Sequence, residues 1–242
     1  MKLTHNGLEI IFYMKQAEPI RIFIGYDERE PLAYHVCVQS LLETSSLPLS
    51  ITPLRLNNLK KIFNRPRELT QLTDFSYTRF LVPYLCQFDG FAIFMDGDML
   101  IREDIANLWA FKDKNLAVRV VKHPEFQSTH TFLGTTVQSF PKFNWSSVML
   151  FNNAKCLALT PDYLETVDYR ELHQFHWLAS EQDLGDLPAK WNHLVQYNSP
   201  NPHAALVHWT LGGPYLGGKY ETTEFAHEWF RMKANLLKAE KS

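Results

Sequence analysis

Residues 91–98 of this chain read FAIFMDGD. The apolar part of this stretch is short, continuous and followed by turn residues, which predicts a buried strand. Asp96 and Asp98 come directly after it, so both carboxylates emerge at the carboxyl end of the strand. Gly97 between them permits a sharp turn and a close approach to a ligand. Two acids with no base between them call for a hard cation such as Mg²⁺ or Mn²⁺, although an exposed turn with two solvated acids is the alternative.

Apolar runs alternate with helical patterns along the rest of the chain. The predicted strands span residues 20–24, 50–56, 91–95, 116–121, 147–151 and 204–209. The predicted helices span residues 75–85 and 104–111 and start near residues 31, 161 and 224. This alternation predicts an α/β fold with a mostly parallel central sheet flanked by helices. Ligands of such sheets bind beyond the carboxyl ends of the strands, which is where Tyr26 and Asp27 also fall.

Length and composition predict a single domain spanning residues 1–242, with residues 1–18 as an N-terminal extension. The formal net charge of −2 gives no indication of nucleic-acid binding. The three cysteines, Cys37, Cys86 and Cys156, lie among apolar neighbours. They predict free thiols in a reducing compartment rather than disulfides.

The sequence contains no segment with the length of a membrane span, and residues 1–18 lack a small-residue cleavage site, so we expect a cytoplasmic protein. Residues 220–242 contain a predicted amphipathic helix with Phe225 and Trp229 among its apolar positions. We expect that apolar stripe to pack on the domain. Peripheral contact of the helix with the inner face of a membrane is the alternative.

A third ligand for the cation is predicted at the end of a later apolar run. His208 falls at the end of the predicted strand 204–209, and Gly212 and Gly213 follow it closely, as in a loop that faces a ligand. Imidazole suits Mn²⁺ better than Mg²⁺. A histidine satisfied within the core is the alternative. Lys219 would add positive charge near the same site, unless it is a solvated surface residue.

Two further segments carry candidate polar groups. Arg79 is a single cation in an apolar and aromatic segment, which predicts either a pair with a core carboxylate or a place in the site. Glu181, Gln182 and Asp183 form an acidic cluster that would hold sugar hydroxyls or support positive charge at an anomeric carbon. Such charge develops in an oxocarbenium-like transition state and is stabilised by nearby oxygen atoms. The alternative is that these three side chains are simply solvated at the surface.

The order of these motifs resembles the retaining nucleotide-sugar glycosyltransferases with a GT-A fold, in particular glycosyltransferase family 8, the group of glycogenin and the lipopolysaccharide galactosyltransferases. The motifs are IFIGYD, SYTRFLVPYL, IFMDGDM, NWSSVMLFN, EQDL and VHWTLGGPY, and the likeness spans residues 20–219. The resemblance implies transfer of a sugar from a nucleotide diphosphate, with UDP as the expected nucleotide, to a sugar, lipid-linked or protein acceptor. It also implies Mn²⁺ or Mg²⁺ as cofactor and retention at the anomeric carbon.

The resemblance further implies roles for individual residues. The implied metal ligands are Asp96, Asp98 and His208. The implied donor-binding residues are Tyr26 and Asp27 at the base, Gly213 and Lys219 at the diphosphate, and Gly97 of the Asp-Gly-Asp motif. The implied catalytic residues are Arg79, Gln182 and Asp183. The chain departs from the family where F-N-S-G-V is usual, since it has Asn144-Trp145-Ser146-Ser147-Val148, and the donor sugar and acceptor therefore stay open.

Two other functions are compatible with a strand that ends in a D-x-D motif. Phosphatases of the haloacid dehalogenase type use the first aspartate, here Asp96, as a nucleophile. They usually place a threonine two residues after the second aspartate, where this chain has Leu100. A non-catalytic module that binds a sugar nucleotide would keep both acids and show no turnover.

Overall fold

The computed structural model describes residues 2–5, 8–11, 18–68, 71–125, 129–132, 135–138 and 140–238. The strands are β1 (Lys2–His5), β2 (Leu8–Ile11), β3 (Ile20–Tyr26), β4 (Leu49–Arg55), β5 (Phe91–Met95), β6 (Met99–Ile101), β7 (Val118–Val120), β8 (Thr129–Phe132), β9 (Thr135–Gln138), β10 (Val148–Asn152), β11 (Leu184–Asp186), β12 (His193–Leu194) and β13 (Leu206–His208). The α-helices are α1 (Pro31–Thr44), α2 (Val82–Leu85), α3 (Ile105–Trp109), α4 (Pro161–Thr166), α5 (Tyr169–His173) and α6 (Ala226–Leu236).

The central sheet has six strands in the order β11-β7-β10-β5-β3-β4. β3 is parallel to β4 and to β5, and β11 is parallel to β7. β10 is antiparallel to both β5 and β7, so it alone runs against the direction that the other five share. The prediction of a mostly parallel central sheet is therefore confirmed.

A second, smaller sheet pairs in the order β12-β13-β6. β13 is antiparallel to β6, in a register that sets His208 opposite Met99. Met99 directly follows Asp98 in the chain, so this pairing brings the late histidine to the second acid of the Asp-Gly-Asp motif. The two sheets thus meet at the motif, which follows β5 of the central sheet and precedes β6 of the smaller one.

Apolar side chains fill both faces of the central sheet. Along β5, Ala92 and Phe94 belong to one buried cluster, whereas Ile93 and Met95 belong to the other. This alternation follows from the two-residue period of a strand. The first cluster includes side chains of α4 and α5, and the second includes side chains of α1 and α3. Helices therefore cover both sides of the sheet, as predicted.

Local signals set the helix starts. α1 begins at Pro31, as predicted, because a proline in the first turn needs no backbone N–H. Asp104 caps α3 by accepting a hydrogen bond from the backbone N–H of Ala106, and Thr160 caps α4 in the same way. The continuous helix predicted over residues 75–85 was wrong. This segment has a 3₁₀ turn at Thr78–Leu81 and then the short α2, because Pro83 has no N–H for a continuing helix.

The C-terminal helix α6 is amphipathic, as predicted, and its apolar stripe packs on the domain. Trp229 is 1% exposed and lies in one buried cluster with Val36 of α1 and with Trp209. Met232 is also buried in that cluster. Among the described residues, no helix is both long and apolar enough to cross a membrane.

Replacing Trp229 by alanine should lower the free energy of unfolding by about 3–5 kcal/mol, the usual cost of deleting a buried tryptophan. Leu237→Ala is the matched control at the end of the same helix, because Leu237 is 67% exposed. That variant should change stability by less than about 0.5 kcal/mol. Chemical denaturation of the three proteins measures both effects, and equal stability of Trp229→Ala and wild type would contradict this packing.

Candidate functional site

Gly97 is required by the packing of the backbone at the junction of the two sheets. A Cβ atom added there would lie 2.4 Å from the carbonyl oxygen of Gly25, at the end of β3. The close approach that the structure shows is to another strand of the sheet, and an approach to a ligand stays a prediction from the sequence. Gly97 thereby lets the turn between β5 and β6 lie against the end of β3.

Asp96, Asp98 and His208 converge beyond this turn. Each offers one ligand atom, and these atoms lie within 4.8 Å of one another. Nε2 of His208 is 3.3 Å from Oδ1 of Asp98 and 3.8 Å from Oδ2 of Asp96. The structure therefore brings the three predicted metal ligands together, although His208 comes 110 residues after Asp98 in the chain.

Asn192 fixes the orientation of the His208 ring. Its side-chain amide nitrogen donates to Oγ of Ser147 at 2.8 Å, which leaves Oδ1 as the acceptor that faces Nδ1 of His208 at 3.1 Å. Nδ1 of His208 is thus the donor, and Nε2 is the nitrogen turned toward the acids. A hydrogen bond of this kind sets the tautomer of histidines that ligate metals. Sequence reasoning did not identify Asn192.

The chemistry of this cluster fits a divalent cation. Among the described residues, no donor makes a well-aligned hydrogen bond to Oδ1 of Asp96 or Oδ1 of Asp98, and both atoms are buried. Asp96 has an ion pair there instead, with Arg79 at 3.1 Å. Buried carboxylate oxygens without donors are costly unless a cation balances them. Two carboxylates and one imidazole are a donor set suited to Mn²⁺.

Burial raises the pKa of Asp96 to about 6, even though the charges of Arg79 and His208 oppose that rise. Burial would lower the pKa of His208, but the charges of Asp98 and Asp96 outweigh it and raise that pKa above its usual value. Without a metal, these acids therefore favour a proton on the imidazole. A divalent cation would take the place of that proton, because a ligating histidine must be neutral.

Arg79 joins the cluster of Asp96, Asp98 and His208 to the neighbouring cavity. Its guanidinium lies over the rings of Phe75 and Phe94, at 5.2 and 5.1 Å from their centroids, and is almost fully buried. It donates to the carbonyl oxygen of Ser146 at 3.0 Å and pairs with Asp96. Of the two alternatives predicted for Arg79, the contacts show the pair with a core carboxylate, and Arg79 also lines the neighbouring cavity.

A cavity of about 510 Å³, open to solvent, lies beside the acids. Its charged lining consists of Arg79, Asp96 and Asp98, joined by His208. Other lining residues include Ser146, Tyr169 and His173, which carry polar groups, and the apolar Phe140 and Phe143. That volume includes adjoining open solvent, and the predicted metal ligands form part of the cavity wall.

A second, smaller cavity lies between the end of β3 and the acid pair, because Gly25, Asp27 and Asp98 all line it. The carboxylate of Asp27 is already bound by Arg29 at 2.6 Å and by the backbone N–H of Asp74 at 3.2 Å. Burial opposes ionisation of Asp27, but the hydrogen bonds from Arg29 hold its pKa below the usual value. Asp27 is therefore ionised and paired with Arg29, in the wall of the cavity that Asp98 also lines.

The remaining sequence candidates lie around or away from these cavities. The ring of Tyr26 packs edge-on against Tyr34, which lines the smaller cavity. Gly213 is in the loop after His208, where a Cβ atom would lie 2.8 Å from the side chain of Trp209. Lys219 is exposed, with its amine 5.0 Å from the ring centroid of Tyr220. Neither Gly213 nor Lys219 lines the two cavities described above.

Gln182 and Asp183 fall in the 3₁₀ turn Glu181–Asp183 and line neither of those cavities. Gln182 is exposed. Asp183 forms an ion pair with Lys155 at 3.1 Å, and both side chains are partly exposed. The structure thus does not bring these two residues to the acid cluster. Their catalytic role stays a prediction from the resemblance.

Comparison with known proteins agrees with this architecture. No protein-family model matches the chain. Protein CDI of Arabidopsis thaliana is 37% identical over 224 residues, an alignment that covers 88% of this chain and 86% of that protein.

Three solved structures share the fold. The bifunctional glycosyltransferase WbbM matches with a TM-score of 0.57 at 13% identity, over 90% of this chain and 50% of its own. An active-site mutant of LgtC matches with a TM-score of 0.54 at 10% identity, over 92% and 98% of the two chains. The glycosyltransferase GlyE of Streptococcus pneumoniae matches with a TM-score of 0.57 at 12% identity, over 89% of this chain and 60% of its own. The chain therefore has the GT-A fold.

Replacing Gly97 by alanine should lower the free energy of unfolding by about 3 kcal/mol, the upper range for overpacking, because the added atom meets a backbone carbonyl. Gly218→Ala is the control: its added Cβ meets nothing within 4 Å, and only its φ of +58° opposes the change. That variant should lose about 1 kcal/mol. Thermal or chemical unfolding separates the two, and similar losses in both would argue against the contact with Gly25.

Proposed function

We propose that this chain, which belongs to the protein CDI family, is a metal-dependent glycosyltransferase that moves a sugar from a nucleotide diphosphate to an acceptor hydroxyl. The observation that carries the proposal is the convergence of Asp96, Asp98 and His208 beside a cavity of about 510 Å³. The fold supports it, because the similar structures are named glycosyltransferases. One of them, LgtC, was solved with donor and acceptor sugar analogues.

Asp96, Asp98 and His208 would hold Mn²⁺ or Mg²⁺, and such a cation neutralises the charge that grows on a departing diphosphate. The chain itself contributes the fixed orientation of these ligands. Asn192 holds the ring of His208, and Arg79 holds the carboxylate of Asp96. Arg79 also keeps a positive charge beside the large cavity, where the sugar and its diphosphate would lie.

We place the nucleotide, with UDP as the first candidate, toward the smaller cavity. Support comes from its lining, which joins Asp27 at the end of β3 to Asp98 of the acid pair. Tyr26 lies next to Asp27 and would flank the base. Gly213 and Lys219 are assigned to the diphosphate because they lie on the segment that follows His208.

The transfer would retain the anomeric configuration, because the acceptor oxygen would attack C1 on the face from which the diphosphate leaves. The bond between C1 and the diphosphate oxygen breaks with its electron pair passing to that oxygen, and the acceptor oxygen bonds to C1. The proton of the acceptor hydroxyl passes to the departing phosphate. Among the described residues that line the cavity, the carboxylates are Asp96 and Asp98, which are assigned to the metal. Asp183 is paired with Lys155, so no further carboxylate is offered as a covalent nucleophile.

The phosphatase alternative is not favoured. The similar solved structures are named glycosyltransferases, and Leu100 stands where those phosphatases usually have a threonine. Release of sugar from a bound donor distinguishes an enzyme from a non-catalytic binding module. The acceptor, whether a sugar, a lipid-linked sugar or a protein, is left to a screen once the donor is known.

Isothermal titration of UDP and of GDP, with Mn²⁺ and with EDTA, tests the proposal. We expect one nucleotide to bind only with Mn²⁺, and we expect Asp98→Ala to abolish that binding because it removes a metal ligand. Asp162→Ala, which removes an exposed acid at the start of α4, is the control and should bind normally.

Absence of binding by either nucleotide in the presence of Mn²⁺ would contradict the proposal. If UDP binds, release of sugar from a panel of UDP-sugars separates an enzyme from a binding module. Binding with no release from any donor, with or without acceptor sugars, would support the binding module.

Asn192→Ala should weaken Mn²⁺ binding about 10–100-fold, as loss of an outer-shell partner does, because Nδ1 of His208 loses its acceptor. Asn153→Ala is the matched control: this asparagine is equally buried but donates to the carbonyl oxygen of Asp89, away from the acids. Titration of Mn²⁺ followed by electron paramagnetic resonance measures the affinity directly. Wild-type affinity in Asn192→Ala would show that the ring needs no such support.

A further inference from the structure

We propose that His173 is a positioning residue that fixes the hydroxyl of Ser146 as a hydrogen-bond acceptor for a hydroxyl or amide N–H of the donor sugar. The inference rests on the proposed function, because it places the sugar in the cavity that Ser146, His173 and Arg79 line. His173 was not among the residues that the sequence motifs singled out.

The hydrogen bonds of His173 decide which of its nitrogens carries the proton. Nε2 is 3.1 Å from the backbone carbonyl oxygen of Ser76. A carbonyl oxygen only accepts, so Nε2 is the donor. Burial, together with the charge of Arg79, keeps the pKa of His173 well below its usual value, and the ring is therefore neutral. In a neutral imidazole with a proton on Nε2, Nδ1 is an acceptor.

The direction of the hydrogen bond between Ser146 and His173 follows from that tautomer. Its Oγ is 2.8 Å from Nδ1 of His173, so the hydroxyl hydrogen is directed at the ring. Arg79 donates to the same oxygen at the longer distance of 3.4 Å. With its only hydrogen engaged, Oγ can only accept from a further partner, and Ser146 is among the residues that line the cavity. A ligand group that meets Ser146 must then bring its own hydrogen, which selects a sugar hydroxyl or amide over a carboxylate.

The ring of His173 is held on several sides. Tyr169 lies at a centroid distance of 4.2 Å, tilted by 36°, and Phe80 packs edge-on at 5.2 Å. Both Ser146 and His173 are buried, so this pair is not a chance contact of surface side chains. Aromatic neighbours at these distances restrict rotation of the imidazole, and the acceptor character of Ser146 is built into the cavity wall.

Ser146 also links this pair to the metal cluster. Its backbone carbonyl accepts from Arg79 at 3.0 Å, and Arg79 pairs with Asp96. The residue would therefore meet the sugar through its hydroxyl while its carbonyl holds the arginine beside the diphosphate. Loss of the hydroxyl should affect the sugar and leave the nucleotide in place.

The test compares UDP with UDP-glucose, UDP-galactose and UDP-N-acetylglucosamine by titration in the presence of Mn²⁺. With the UDP-sugar that wild type binds best, Ser146→Ala and His173→Gln should lose about tenfold in affinity, the effect of one hydrogen bond. Their affinity for UDP should be unchanged. His173→Asn should recover most of the loss, since its Oδ1 can replace Nδ1 as the acceptor, whereas glutamine reaches the position of Nε2.

His176→Ala is the control, because His176 is exposed and pairs with Glu171 instead. It should bind UDP and the UDP-sugar like wild type. Ser146→Ala keeps the test valid if a variant of His173 does not fold, as judged by circular dichroism.

The outcomes separate the two proposals. If wild type binds neither UDP nor any of the UDP-sugars with Mn²⁺, the proposed function fails and this inference fails with it. If wild type binds a UDP-sugar and Ser146→Ala binds it equally well, the inference alone is overturned. A parallel loss of UDP and UDP-sugar affinity in Ser146→Ala would also overturn it, because Ser146 would then act only through Arg79.

Discussion

The buried acid pair Asp96 and Asp98 is the constraint around which the rest of the site is arranged. Two carboxylates separated by one glycine leave the central sheet together, and burial makes their charges costly unless positive groups balance them. The structure supplies one such group from each side, Arg79 from the segment before β5 and His208 from the last strand of the smaller sheet. The pairing of β13 with β6 places His208 beside the acids, so the smaller sheet contributes to their charge balance as well as to packing.

Much of this was predictable because the decisive signals are local. A continuous apolar run before the acids identifies β5, and the apolar run before His208 identifies β13. Capping residues such as Asp104 mark helix starts without reference to the fold. Strand ends in an α/β sheet meet at one edge, so the meeting of the acids with residues after β3 also follows from the pattern.

The rest of the site depends on contacts between distant segments, which a single sequence does not display. Asn192 lies in a short irregular stretch, and His173 ends a helix of only five residues, too short for a periodic pattern. Each matters because of a partner far away in the chain, Asn192 for His208 and His173 for Ser146. The sequence motif around Gln182 resembles the family, but in this structure Gln182 lies exposed on a 3₁₀ turn and lines neither cavity.

The stretch that departs from the family's F-N-S-G-V pattern shows how such contacts form one arrangement. Ser147 accepts from Asn192 and so supports the ring of His208 on the metal side. Ser146, its immediate neighbour, donates to His173 on the other side of the same short turn. Two adjacent hydroxyls thus serve two different networks, and each has a partner elsewhere in the chain. Because β10 begins directly after them and pairs with β5, the strand register that holds Asp96 also fixes both hydroxyls. A substitution that shifted this register would therefore disturb the proposed metal ligands and the Ser146 oxygen that we propose faces the sugar.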